Sequence, residues 1–308
     1  MFSRKTKHRI LKAISLFSVV RGYNIPVIIL AQYLAAIFIL SPDGISASAV
    51  IFDGNLLILV LASSLAIASG YIINNFYDYE KDVINRPRKS ILDRLVSQKT
   101  KLNVYFSINF FVFALSFIIS WRVAFFYSCY IFLIWFYSHK LKKIVFVGNT
   151  TAAILAILPF FGILLYYVRN ALFPFYYTQL EIVFLHATFL FLVLLVKEMI
   201  KDLENLKGDF ASNYQTVPVL FGEKTSKKII TGMVILTVLP VYLLVEIHQV
   251  GHMDIYFYCC FIAFTFFLIK LWKSHNRSQF LSLHNLLKVV IAAGVCCIVL
   301  IKPELLPI

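Results

Sequence analysis

Long apolar segments recur along the whole chain and constrain its fold more than any other feature. A helix needs about 20 apolar residues to cross the hydrocarbon core of a bilayer. In that solvent only helices and closed barrels satisfy all their backbone hydrogen bonds. The pattern predicts an all-α membrane protein with nine transmembrane helices, at residues 25–41, 50–73, 103–120, 123–138, 147–167, 180–197, 229–247, 255–271 and 285–301.

The composition supports a membrane protein and excludes several other classes. Hydrophobic residues make up 60% of the chain and charged residues 14%, whereas soluble domains carry about 25% charged residues. The five cysteines lie inside apolar segments without a CxxC spacing, which indicates neither a zinc site nor a disulfide framework. The net charge of +14 comes without any nucleic-acid-binding motif, so we expect no nucleic acid partner.

The distribution of Lys and Arg predicts the orientation of the helices, because cytoplasmic loops of membrane proteins are enriched in both. With the N-terminus inside, 26 of the 29 Lys and Arg fall on the cytoplasmic side, and only Arg122, Arg169 and Lys302 fall outside. We therefore expect residues 1–308 to form one multi-pass integral-membrane domain with a cytoplasmic N-terminus and an external C-terminus. In a bacterium it would lie in the inner, or plasma, membrane.

Two short windows concentrate the acidic residues. Seven of the 15 Asp and Glu lie within residues 74–82 and 198–209, each directly after an even-numbered span and hence on the cytoplasmic side. If each window is helical, its spacing aligns oxygen-bearing side chains along one face. The first stripe contains Asn74, Asp78 and Asp82, and the second contains Glu198, Asp202, Asn205 and Asp209.

Carboxylates stacked one helical turn apart repel each other, and a bound cation reverses the sign of that interaction. Oxygen ligands without imidazole or thiolate favour a hard ion, and Mg²⁺ binds through one or two carboxylates together with substrate phosphates. The sequence therefore predicts a cytoplasmic site for a Mg²⁺-bridged diphosphate. Basic residues that can complete it lie nearby: Arg86, Arg88, Lys89, Lys140, Lys142, Lys143, Lys197 and Lys201.

Both windows resemble motifs of the UbiA family of intramembrane prenyltransferases. The stretch NNFYDYEKDVINRPRKS is similar to the family's N-D-x-x-D-x-x-x-D followed by I-N-R-P, and KDLENLKGDFASNYQTVP is similar to K-D-x-E-D-x-x-G-D followed by T-[LV]-P. Two shorter stretches, RGYN from Arg21 and YSHKLKKIVFVGN from Tyr137, match further family motifs. The chain departs from the family pattern at Asn75 and Asn205, where the family has Asp.

The resemblance implies an enzyme: nine helices around a central cavity that opens laterally, with Mg²⁺-dependent transfer of a prenyl group from a prenyl diphosphate to a lipid-soluble acceptor. Asp82 or Glu204 are candidate bases, and Tyr77, Tyr79 or Tyr137 are candidates to shield an allylic cation. The expected catalytic residues are Asp78, Asp82, Asp202 and Asp209. The expected metal ligands are Asn74, Asp78, Asp82, Asp202, Asn205 and Asp209. The expected diphosphate or substrate contacts are Arg86, Lys142, Lys201 and Asn24.

The sequence is compatible with two classes of acceptor. The second motif has the form most similar to the subgroup of glycerol-phosphate geranylgeranyltransferases, which favours a prenylated glycerol phosphate, and an aromatic quinone precursor is the main alternative. A transporter is another class of function, although transporters place acidic residues near the middle of the bilayer. A family member without catalysis that binds prenyl lipids is a third possibility. The sequence leaves the oligomeric state undetermined.

Overall fold

The structure is a computed structural model that describes residues 4–41, 45–170 and 177–305. Those residues form α-helices joined by short turns. In chain order the helices are α1 Arg4–Val19, α2 Ile25–Ala35, α3 Ala47–Ile51, α4 Gly54–Tyr77, α5 Tyr79–Asn85, α6 Pro87–Asp93, α7 Gln98–Ile119, α8 Trp121–His139, α9 Val147–Asn170, α10 Tyr177–Ala211, α11 Val217–Leu236, α12 Val238–Tyr242, α13 Asp254–Lys273 and α14 Arg277–Cys297. Residues 171–176, between α9 and α10, and residues 306–308, at the C-terminal end of the predicted domain, lie outside the described residues.

The predicted all-α membrane fold is confirmed, with one difference in the number of spans. Within the described ranges, eight helical stretches are long and apolar enough to cross a membrane. The predicted span that is not among these eight, residues 123–138, is α8, a helix of 19 residues. Its Tyr, Ser and His residues make it less apolar than the other eight, and it packs within the bundle against α4, α7 and α9.

Local capping explains where the long helices begin. A tight turn at Ser120 separates α7 from α8, and the Ser120 Oγ accepts a hydrogen bond from the Val123 amide at 3.2 Å. Asp53 caps α4 in the same way, accepting from the amides of Asn55 and Leu56. Such caps satisfy amide groups that lack a partner within the helix.

The bundle has two main apolar cores. The first lies among α2, α4, α7, α8 and α9, and the second among α10, α11, α13 and α14. Tyr127 in the first and Phe257 in the second are each at most 1% exposed. Burying a large side chain of this kind stabilises a fold by about 1.5–3 kcal/mol. The two cores hold α4 and α10 in fixed positions, and these are the helices from which the acidic windows extend.

At one end of the bundle the segments that follow α4, α8 and α10 meet. The Gln215 amide donates to the Lys143 carbonyl at 2.9 Å, which joins the segment after α10 to the turn after α8. The Gly208 amide donates to Asn85 Oδ1 at 3.1 Å, which joins α10 to α5. Gly208 permits this close approach, because a Cβ there would lie 2.3 Å from Asn85 Nδ2.

Replacing Gly208 with Ala tests this contact. We expect the free energy of unfolding to fall by about 1–3 kcal/mol, because the buried Asn85 side chain must move and its hydrogen bond to the helix is lost. Thermal unfolding in detergent measures the effect. Gly232→Ala is the matched control, since Gly232 lies in α11 with nothing within 4 Å of an added Cβ; equal stability of the two variants would contradict the account.

A polar cavity between two acidic helices as the candidate active site

The first acidic window is not one continuous helix. α4 ends at Tyr77, Asp78 has φ −87° and ψ 9°, and α5 begins at Tyr79. The expectation of an uninterrupted helix through residue 82 is therefore wrong at Asp78. The helical hydrogen bonds nevertheless continue across the break, from the Asp78 amide to the Asn74 carbonyl at 2.9 Å and from the Asp82 amide to the Asp78 carbonyl at 2.8 Å. Asn74, Asp78 and Asp82 thus all face the same cavity.

Asp78 is the centre of a buried polar cluster. Lys142 Nζ lies 2.7 Å from Asp78 Oδ1 and also donates to Asn74 Oδ1 at 3.1 Å. The Tyr214 hydroxyl donates to the same Asp78 Oδ1 at 2.9 Å. Three distant parts of the chain therefore meet at one carboxylate: the end of α4, the turn after α8 and the segment after α10.

The backbone around Lys142 explains its position. Lys142 lies in a single 3₁₀ turn, Leu141–Lys143, between α8 and α9. Gly148 at the start of α9 passes close to this turn, and a Cβ there would lie 3.0 Å from the Lys142 carbonyl oxygen. A glycine at this position allows α9 to begin directly against the turn, which places Lys142 in the cavity wall.

The electrostatics of the cluster keep Asp78 ionised. Burial raises the pKa of the Asp78 carboxyl. The nearby Lys142 and Lys81 together lower this pKa by more than burial raises it, and the resulting pKa is about 2. Burial and the Asp78 carboxylate raise the pKa of Tyr214. Because Tyr214 remains protonated, it donates its hydrogen bond to Asp78 throughout the physiological pH range.

The second acidic window lies on α10 without interruption. Glu198 binds two ammonium groups, Lys201 Nζ at 2.6 Å and Lys197 Nζ at 3.1 Å. Asp202 Oδ2 accepts a hydrogen bond from Asn149 Nδ2 at 2.7 Å. Asn205 is 4% exposed, and its Oδ1 has no hydrogen-bond partner among the described residues. A buried carbonyl oxygen without a donor is costly, and Asn205 faces the cavity.

Two acidic residues of the second motif do not line the cavity. Asp209 is fully buried and forms an ion pair with Lys81, with Nζ 2.6 Å from Oδ1. Glu204 is bound by His284 Nδ1 at 2.8 Å and lies 4.0 Å from Arg277 Nη2. Asp209 is thus placed behind the wall rather than at the predicted metal site, and Glu204 is engaged with α14 rather than placed to act as a base.

Between α4 and α10 lies a cavity of about 820 Å³, including its open mouth. Its wall is predominantly polar, with six Lys or Arg and four Asp or Glu. These ten residues are Arg21, Lys81, Arg86, Lys89, Lys142, Lys201, Asp78, Asp82, Glu198 and Asp202. The polar lining is completed by Tyr71, Asn74, Asn75, Tyr137, Asn149, Asn205, Tyr214 and Thr216.

Most of the predicted site residues meet in this cavity, with a few exceptions. Arg86, Lys142 and Lys201 line it as expected. Asn24 lies in the turn before α2 and is not part of the lining. Of the three candidate tyrosines, Tyr137 lines the cavity, whereas Tyr77 and Tyr79 do not.

Several lining residues were not among the predicted site residues, among them Arg21, Lys81, Asn149 and Tyr214. Arg21 and Asn149 each belong to a stretch that matches a family motif, so that resemblance was an available signal. Tyr214 lies between the second acidic stripe and the T-V-P element. It is an uncharged residue, so the charge pattern that indicated the other site residues did not include it. Its role depends on contact with Asp78, 136 residues away.

The donor groups fit a hard cation only in part. Within the described residues, no three Asp, Glu, His or Cys side chains lie close enough together to hold a metal ion. The Asp82 carboxylate makes no hydrogen bond or ion pair with the described residues, and burial and the neighbouring Asp78 raise its pKa. Asp82 and Asn205 therefore offer free oxygen ligands on facing walls, and phosphate oxygens would have to complete a Mg²⁺ shell.

Together the fold and the cavity define an α-helical, multi-pass membrane protein with a polar, charged cavity next to the apolar bundle. Comparison with known sequences identifies the family. Residues 29–287 match the UbiA prenyltransferase family, and the chain belongs to this family of prenyl-transferring enzymes.

Three known proteins illustrate the relationship. A digeranylgeranylglyceryl phosphate synthase from Thermococcus gammatolerans is 29% identical over 63% of this chain and 67% of its own. A solved structure described as concerning digeranylgeranylglyceryl phosphate synthase in membranes superimposes with a TM-score of 0.68 at 20% identity, covering 95% of this chain and 99% of that one. A UbiA homologue from Archaeoglobus fulgidus, bound to GPP and Mg²⁺, gives 0.65 at 14% identity, covering 92% and 99%.

Removing the Tyr214 hydroxyl tests the polar cluster. We expect Tyr214→Phe to lower the rate of prenyl transfer at least about tenfold, because Asp78 loses a hydrogen bond to its charged form. A radiolabelled transfer assay in detergent measures the rate. Tyr242→Phe is the control, since Tyr242 is 56% exposed and far from the cavity. A Tyr214→Phe variant as active as the control would show that this hydrogen bond has no part in the reaction.

Proposed function

We propose that this protein transfers a prenyl group from a prenyl diphosphate to a lipid acceptor, with Mg²⁺ bound between the two acidic helices. The observation that carries this proposal is the facing arrangement of Asp78 and Asp82 on one wall and Asp202 and Asn205 on the other. The family relationship supports the reaction, and the Archaeoglobus fulgidus homologue bound to GPP and Mg²⁺ supports the metal and the diphosphate.

The proposed metal ligands are the oxygen donors that line the cavity: Asn74, Asp78, Asp82, Asp202 and Asn205. Bound Mg²⁺ would neutralise charge that develops on the departing diphosphate. Lys142 has a second role here, because it already neutralises Asp78 and lies in position to donate to a phosphate oxygen as well. Asp209 supports the site indirectly by fixing Lys81.

Two further basic residues, Arg86 and Lys201, bind the diphosphate in this proposal. Arg86 and Lys201 line the cavity with their cationic groups and can donate to phosphate oxygens. The half-buried Tyr137 ring also lines the cavity, and an aromatic face stabilises a nearby positive charge. The cationic groups hold the diphosphate leaving group in place and stabilise its charge. The apolar bundle excludes water from the allylic cation.

The proposed acceptor is a prenylated glycerol phosphate. Two of the compared proteins carry the name digeranylgeranylglyceryl phosphate synthase, which supports a geranylgeranyl donor and this acceptor. An aromatic quinone precursor is the alternative, to be included in the same assay. A transporter is disfavoured, because the acidic residues lie at the ends of α4 and α10 and not at mid-bilayer.

We also propose that the N-terminus and the cavity face the cytoplasm and that the C-terminus is external. The excess of Lys and Arg at the cavity end supports this orientation. Accessibility of single introduced cysteines to a membrane-impermeant reagent tests it. We expect Glu80→Cys to be labelled only after the membrane is permeabilised. Labelling of Glu80→Cys in intact cells would contradict the proposal.

The central test is a transfer assay. Purified protein is incubated with labelled geranylgeranyl diphosphate, Mg²⁺ and a panel of glycerol phosphate and phenolic acceptors. We expect Asp78→Asn to lower activity on the order of 100-fold, as loss of a preorganised charge at a reacting group does. Glu80→Gln is the matched control in the same motif, since Glu80 is exposed and outside the lining. If no acceptor is prenylated, or both variants keep full activity, the proposed function is wrong.

Asn205→Asp is a gain-of-function test, because the Asn205 amide oxygen carries no formal charge and an Asp carboxylate would add one beside the bound cation. We expect Asn205→Asp to lower the Mg²⁺ concentration for half-maximal activity by about threefold to tenfold, through the added Coulomb attraction. A Mg²⁺ titration of initial rates measures this shift. An unchanged or higher half-maximal concentration would remove Asn205 from the metal site.

A further inference from the structure

A contact behind the cavity joins α14 to the residue that precedes Arg86. Arg277 is the first residue of α14, and its Nη2 donates to the backbone carbonyl of Asn85. Asn85 is the last residue of α5, and the last carbonyl groups of a helix lack a donor within the helix. Neither Arg277 nor Asn85 belongs to the cavity lining. The contact therefore acts on the site from outside it.

This contact holds the peptide group that leads into Arg86. The Asn85 carbonyl and the Arg86 amide belong to one planar peptide unit. The Arg86 amide donates to the Asp82 carbonyl at 2.8 Å, and the carbonyl of the same unit accepts from Arg277. The Asn85 side chain is fixed as well, because its Oδ1 accepts from the Gly208 amide at 3.1 Å. The peptide plane is thus held at both ends, and it sets the direction in which the Arg86 side chain leaves the backbone.

Arg86 lies at a junction where such a restraint matters. It is the single residue between α5 and α6, and its backbone has φ −140° and ψ 60°, which is not helical. Residues at the ends of helices are the positions at which hinge motions change φ and ψ. A rotation at this junction would move α6 and the Arg86 side chain together. The hydrogen bond from Arg277 restrains that rotation.

A buried acid orients Arg277 in turn. Arg277 Nη2 lies 4.0 Å from Glu204 Oε1, and His284 Nδ1 lies 2.8 Å from Glu204 Oε2. The Glu204 and His284 side chains are both buried. A cation in the first turn of a helix opposes the helix macrodipole, and the Glu204 carboxylate offsets this unfavourable interaction. The contacts of Arg277, rather than the stability of α14 by itself, therefore account for an arginine at this position.

We propose that Arg277 is a positioning residue of the transfer reaction, which holds Arg86 in the orientation that binds the diphosphate and acts through the Asn85 carbonyl. Glu204 and His284 hold Arg277 in place. This inference rests on the proposed function, in which Arg86 binds the diphosphate. It also gives a role in the reaction to α14, whose residues lie outside the cavity lining.

A double-mutant cycle between Arg277 and Arg86 tests this inference. Dissociation constants of geranylgeranyl thiodiphosphate with Mg²⁺ are measured by calorimetry for the full-length parent protein, Arg277→Gln, Arg86→Gln and the double variant. We expect Arg277→Gln to weaken binding about fivefold or more, because a displaced guanidinium no longer matches the phosphate oxygens. In the Arg86→Gln protein the same substitution should weaken binding less than about twofold, because the cation to be positioned is gone. Equal factors in the two backgrounds would overturn the proposal.

Two further variants separate positioning from a general loss of charge or stability. Lys273→Gln removes one charge from the exposed end of α13, outside the lining, and should bind as the parent does. Arg277→Lys keeps a donor for the Asn85 carbonyl and should bind within about twofold of the parent. Thermal unfolding establishes that each variant is folded, and Arg277→Met replaces Arg277→Gln in the cycle if the latter is not. A folded Arg277→Lys protein as weak as Arg277→Gln, or an equal loss in Lys273→Gln, would overturn the proposal.

The outcomes also separate this inference from the proposed function. Transfer activity together with additive substitutions overturns the positioning role alone. Coupled substitutions in a protein that prenylates no acceptor support the positioning role, and the proposed function then fails alone. A parent protein that binds no thiodiphosphate overturns both.

Discussion

The ion pair between Lys142 and Asp78 is the contact around which this end of the molecule is arranged. It joins the end of α4 to the turn after α8, and the Tyr214 hydroxyl adds the segment after α10 to the same carboxylate oxygen. Losing one partner of such a buried pair leaves an uncompensated charge and costs about 3–5 kcal/mol. The ion pair and the Tyr214 hydrogen bond therefore hold the end of α4 against the turn after α8 and the segment after α10, and residues of all three parts line the cavity.

The charges on the two walls are organised in layers. Behind the cavity, Asp209 with Lys81 and Glu204 with His284 form pairs that hold α10 against α5 and α14. Facing the cavity, the buried Asn205 Oδ1 has no hydrogen-bond partner among the described residues, and the half-buried Asp82 carboxylate makes no ion pair with them. A buried polar group without a partner is unfavourable by itself, so its presence in the wall of a cavity indicates a site built for a ligand that completes it.

Much of this arrangement was predictable from the sequence, because it depends on local periodicity. The apolar segments determined the helices, and the spacing of Asn74, Asp78 and Asp82 predicted which side chains of the first window face the same cavity. The rest depends on contacts between distant residues. The pairing of Glu204 with His284, the burial of Asp209 and the approach of Tyr214 to Asp78 follow from how helices pack. The break at Asp78 also could not be predicted from periodicity.

The most direct test of the central claim is a double-mutant cycle across the cavity. Dissociation constants of geranylgeranyl thiodiphosphate are measured for the parent protein, Asp82→Asn, Asp202→Asn and the double variant, each with and without Mg²⁺. If one metal-bound diphosphate joins the two walls, the substitutions will be coupled by at least about 1 kcal/mol with Mg²⁺ and will be additive without it. Additive effects in the presence of Mg²⁺ would show that the two acidic helices do not act on the same ligand, and would contradict this account.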